Sequence, residues 1–192
     1  MRVAESVVIE IDRNAGPGAA IDGRVRTAAA LAKTAIIGTS SCLIDSDDNY
    51  DSRTFDEIHF KLKGLPRRSD EPPHPLAHLG EAASIALCAA RKSQGETIIF
   101  LVNDGGASLV ASHYGIPARH FGQVMAELIC GGKFTSGDAF DIFAMANSVS
   151  GVPQDVAPLD AEALECQKSG ESQVCTMCDS IAPMTAAGVE QG

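Results

Sequence analysis

Three carboxylates stand at points in the chain where metal chemistry is usually built: Glu10, Glu81 and Asp104. Asp104 closes the apolar run ETIIFLVND (96–104) and is followed by Gly105 and Gly106. In an open α/β sheet ligands sit at the carboxyl ends of the strands. An Asp projecting there suits a hard cation. The competing role is the N-cap of the helix that begins at Ala107, which Asp also fills well. Glu81 follows Gly80 at the start of LGEAASIALCAARK, where the helix dipole favours an ionised carboxylate. Alone it is an ordinary first-turn Glu. Glu10 lies in SVVIEIDR, an amphipathic stretch in which an acidic residue is usually solvated. Taken together, three carboxylates from separate segments would hold Mg²⁺ or Mn²⁺. Such ions neutralise the charge of a phosphodiester and activate a water to attack it.

The elements that must position these groups follow from hydrophobic periodicity. Residues 4–14 read as a helix with Ala4, Val7, Val8 and Ile11 on one side, a strand at Val7–Ile9 being the alternative. A second helix fits 21–33, and TAIIGTS (34–40) reads as a short buried strand. DSDDNYD is an acidic turn. Asp51–Leu62 follows as a helix with Phe55, Ile58 and Leu62 inward, and GLPRRSDEPPHP is a Pro-rich loop. Leu79–Lys92 is the clearest helix, stopped by Gly95. The uninterrupted Ile98–Val102 run predicts a strand covered on both faces. A helix over 107–114, a strand in IPARHF, a helix over 122–130 and a last helix capped by Ser136 complete the alternation. Strands alternating with helices predict an α/β fold with a parallel sheet, in which the strands near 97–103 and 117–121 are neighbours and the strand near 35–39 lies in the same sheet.

Composition narrows the function classes. The chain has 192 residues, 45% of them hydrophobic, which suits one domain over 1–151 and a polar tail over 152–192. A net charge of -10 excludes a basic coat for nonspecific duplex binding, so any RNA would be met by a metal and a local basic patch. Lys61, Lys63, Arg67 and Arg68 form the only such cluster, and a solvated loop is its other reading. His113, Arg119 and His120 flank the IPARHF strand as surface groups, with phosphate contact as the alternative. Cys42, Cys88 and Cys130 sit in apolar segments as small buried hydrophobes, which points to a reducing cytoplasm. Cys166, Cys175 and Cys178 hint at zinc, but the tail lacks a fourth ligand, and free thiols are the expectation. NDGGASLVA is not a phosphate loop, because the Gly–Lys–Ser/Thr element is missing. No apolar run approaches the roughly 18 residues of a membrane helix, and the start lacks signal-peptide order.

The stretch 78–146 resembles the second half of a PIN-like ribonuclease domain. LGEA opens a small-residue helix, an apolar strand ends in NDGGA, a helix runs to HYGIPA, and a short strand, a helix, a Gly turn and a final helix follow. The resemblance implies a three-layer α/β fold with a parallel central sheet. It assigns Glu81 and Asp104 to the acidic metal cluster, with Glu10 as the helix-borne third member and Glu5 as fallback. It implies hydrolysis of single-stranded RNA with Mg²⁺ or Mn²⁺. It also implies VapC-like membership of a toxin–antitoxin pair, with an antitoxin protein and a second copy of the chain as partners. The departure is the family's opening strand, whose Asp is the leading metal ligand. No such segment precedes Glu10, and GTSSCLI (38–44) offers Gly38 in place of Asp. The domain is therefore expected to be incomplete at its N-terminal strand, with the start lying upstream of Met1. Without that Asp a regulatory or protein-binding module is the alternative to an enzyme.

Overall fold

A computed structural model describes residues 1–16, 23–37, 42–65, 77–150 and 161–164. The protein is mixed α/β and mostly helical. Packing divides it into two units, Met1–Phe100 with Gly105–Pro117, and Leu101–Asp104 with Ala118–Gly192.

The first unit opens with β1 (Arg2–Ala4), which runs directly into α1 (Glu5–Ala15). The expected opening helix is present, and the strand that precedes it is three residues long. α2 (Gly23–Ile37) packs on α1. Here the expected strand over 34–40 is corrected, because Thr34–Ile37 continue the helix and residues 38–41 lie outside the described residues. A three-residue apolar run (Ala35–Ile37) carries no period of its own, so the helix formers before it decide its conformation. The strand falls later, at β2 (Leu43–Asp45), and pairs parallel with β1 in the register Arg2–Leu43, Val3–Ile44, Ala4–Asp45.

A short 3-10 turn (Asp47–Asn49) leads to α3 (Ser52–Lys63). Asp51 caps α3 by accepting from the Thr54 amide at 2.9 Å and the Thr54 hydroxyl at 3.0 Å, and these bonds hold its carboxyl below the usual range. Ile58 and Leu62 are buried as expected, and Phe55 is half-buried. α4 (Leu79–Ser93) ends at Gln94, and Gly95 follows with φ 85°, a conformation that glycine adopts at no steric cost. Ala82, Ala83 and Ala86 of α4 are fully buried, so neighbouring backbones come close. Ala4, Ala83 and Leu87 form one core cluster with Val7, Tyr50 and Phe55 against it. Cys88 is half-buried, and burial pushes its thiol up to about 11, which disfavours the thiolate.

Asp45 is the polar residue that this unit buries at the end of β2. Its Oδ1 accepts from Arg2 Nη1 at 2.9 Å and from Arg91 Nη2 at 2.8 Å, while Arg91 Nη1 donates to Glu96 Oε1 at 2.9 Å. The carboxylate thus ties β1, β2 and α4 together. Asp45→Asn keeps the shape but loses the charge, and hydrogen bonds to charged groups contribute about 1.5–3 kcal/mol. The variant is expected to unfold at lower urea by roughly the smaller of those figures. An unchanged midpoint would show that solvent screening has already removed the benefit.

The run 96–104 forms a shorter strand than expected, β3 (Phe100–Leu101). Phe100 is buried, but Ile99 and Leu101 are each 53% exposed, so coverage on both faces is corrected to alternation. β3 pairs with β4 (Ala118–Arg119): the Phe100 amide donates to Pro117 O at 2.9 Å and the Val102 amide to Arg119 O at 2.9 Å. The expected neighbours 97–103 and 117–121 are therefore paired. Among the described residues, a single sheet that also takes in the 35–39 segment is replaced by two separate two-stranded sheets, β1–β2 and β3–β4. α5 (Gly105–His113) completes the first unit, burying Ala107, Val110 and Ala111.

In the second unit α6 (Phe121–Cys130) is followed by α7 (Ser136–Ser150). Thr135, one residue before the expected cap Ser136, accepts from the Asp138 amide at 3.1 Å and donates to Asp138 Oδ2 at 2.6 Å. Of the expected tail, a 3-10 turn (Glu162–Leu164) is described. Leu164 is buried with Met125 and Ala139, beside Phe121, Phe140 and Ile142. No helix among the described residues is long and apolar enough to cross a membrane.

Candidate functional site

Glu10 sits on α1 and Glu81 in the first turn of α4; the two helices pack on each other, and the Glu81 charge acts on Glu10. The residue that permits this is Gly80, which is buried. A Cβ there would stand 2.9 Å from Glu10 Oε2 and 3.2 Å from Val7 Cγ2. A Cβ there would press on the Glu10 carboxylate and a Val7 methyl, so those side chains would have to shift. The sequence order Gly80–Glu81 is thus a close-approach position followed by the acidic group it serves.

The environment is electrostatically costly for Glu10. Its carboxyl is raised above its ordinary value of 4.5, first by burial and then by the negative charge of Glu81, with Arg13 and His78 acting in the opposite sense. Burial and a like charge both disfavour the ionised form. His78 stands beside the pair, its Nδ1 3.8 Å from Glu81 Oε1. It starts α4 with φ 64°, in the left-handed region. The His59 ring contacts Ala77 O at 2.9 Å through Nε2 and so fixes the chain just before His78.

The sign of the pH dependence follows. A carboxyl with a raised folded-state pKa binds its proton more tightly in the native protein. Its contribution to stability is full below about 4.5 and is lost as pH rises through the raised value. Glu10→Gln stays neutral throughout. Its melting temperature is expected to exceed that of the wild type at pH 7, and the two are expected to converge below pH 4.5. A variant less stable at pH 7 would show that the charged form is favourably held.

Asp104 belongs to the second unit and immediately precedes α5. It is exposed and follows β3 by three residues, which agrees with the expected place after the strand. Glu5, the fallback for Glu10, lies elsewhere. It accepts from the Asp47 amide at 3.4 Å, in a cluster at the carboxyl ends of β1 and β2. There the Ser6 hydroxyl donates to Asp47 Oδ2, and burial and then the Asp47 charge push the Tyr50 hydroxyl up to about 12. Sequence reading missed both this cluster and the Asp45 clamp. The run DSDDNYD read as a solvated turn because nothing local tells a buried Asp45 from an exposed Asp48.

Three of the basic candidates, Lys61, Arg119 and His120, are engaged in structure, while Lys63 is exposed. Lys61 Nζ lies 4.8 Å over the Tyr114 ring and donates to Tyr114 Oη at 3.4 Å. Arg119 Nε donates to Glu127 Oε1 at 2.8 Å. His120 forms a capping box with Gln123, accepting from its amide through Nδ1 at 3.3 Å and donating its own amide to Gln123 Oε1 at 2.9 Å. The surface reading of Arg119 and His120 thus becomes a structural one. His113 remains exposed, with its ring edge-on to Tyr114. Arg67, Arg68, Cys166, Cys175 and Cys178 lie outside the described residues.

Among the described residues no group of three or more His, Cys, Asp or Glu side chains is placed to hold a metal ion. Glu10 and Glu81 are a pair. In kind they fit a hard divalent cation, because both are carboxylates and their mutual repulsion is what such an ion relieves. No family model, curated protein or solved structure matches the chain.

Proposed function

We propose that this protein is a metal-dependent endoribonuclease of the PIN-like type, acting on single-stranded RNA. The observation that carries the reading is the packing of α1 on α4, which sets Glu10 against Gly80 and within the influence of the Glu81 charge, two carboxylates singled out from distant parts of the sequence. In this reading Glu10 and Glu81 hold Mg²⁺ or Mn²⁺, and the resemblance adds Asp104 to the set. When bound, the metal supplies charge neutralisation at the phosphodiester and an activated water. The chain's own contribution is to keep Glu10 against the buried Gly80 and to keep Glu81 beside His78, so that the pair is positioned before an ion arrives. An antitoxin protein and a second copy of the chain belong to the same proposal as partners, and the cytoplasm as its place.

A second reading, a PIN-like module that binds protein without catalysis, is favoured by the same pair. Two carboxylates are fewer than the three or four on which a two-metal nuclease relies. The assay that separates them is cleavage of a labelled single-stranded RNA by the purified chain, with Mg²⁺ or Mn²⁺ titrated and chelator as the blank. The nuclease reading expects metal-dependent cleavage that Asp104→Asn lowers at least tenfold. Cleavage equal in chelator, or none at millimolar metal, would end it in favour of the binding module.

A further inference from the structure

No further inference is drawn: the strongest candidate, the Glu5, Ser6, Asp47 and Tyr50 side-chain cluster at the carboxyl ends of β1 and β2, is an acidic cluster closed on its own hydrogen bonds, and no second observation points to a ligand there.

Discussion

Glu81→Gln is expected to reduce metal-dependent RNA cleavage by roughly 100-fold or more while leaving the fold intact. A metal ion supplies several kcal/mol of transition-state charge stabilisation, and each 1.36 kcal/mol is about a tenfold change in rate. Gln keeps the size of Glu81 but weakens its hold on a hard cation. Folding should survive because the side chain is one-third exposed and its recorded ion pair is the loose 3.8 Å approach of His78. The control is Glu10. If both carboxylates hold one ion, Glu10→Gln, Glu81→Gln and the double variant should lose similar activity, because residues acting as a unit are not additive. Added Mg²⁺ should raise the melting temperature of the wild type and not of the double variant, a readout independent of cleavage. Full activity in Glu81→Gln would remove this residue from the site. Multiplicative losses in the double variant would mean that the two carboxylates act separately.

Truncating the core of α4 is expected to have the largest effect on stability. Ile85 is fully buried on a helix whose other buried positions are mostly alanine or glycine, so few large side chains fill this interior. Removing three carbons from such a site costs the transfer free energy and leaves a cavity, about 2–5 kcal/mol for a buried Ile→Ala. The small neighbours Ala82 and Ala86 have no flexible side chains with which to fill it. Both tyrosines of the chain, Tyr50 and Tyr114, belong to the first unit, and there is no Trp. Tyrosine fluorescence during urea unfolding therefore reports on this unit alone. Ile85→Ala should lower the midpoint with an unchanged slope, the mark of lost stability without a changed denatured state. A loss below about 1 kcal/mol would mean that the helices around α4 close the gap.

These expectations rest on features of unequal visibility. Helices were the legible part. Leu79–Ser93 could be placed within a residue because Gly95 breaks it and the small-residue pattern persists for four turns. α3 was equally plain, with an Asp at its cap and Ile58 and Leu62 four residues apart on one side. Strands were not. β2, β3 and β4 are two or three residues long. An apolar run of that length reads the same whether it ends a helix, as Ala35–Ile37 do, or starts a strand, as Leu43 does.

The sequence by itself determined the helical frame, the acidic residues that merit attention and the acidic balance that leaves no basic coat. Capping, periodicity and charge act within a few residues along the chain, and they need no distant partner to be read. Tertiary structure alone decided the rest. It paired β1 with β2 apart from β3 and β4, turned Asp45 inward between Arg2 and Arg91, and buried Leu164 against Met125 and Ala139. It also set Glu10 against Gly80, beside Glu81, across 70 residues of chain (80 minus 10). Each of these is a contact between segments far apart in sequence. Its energy comes from burial and charge that exist only once both segments are in place, so no local pattern encodes it.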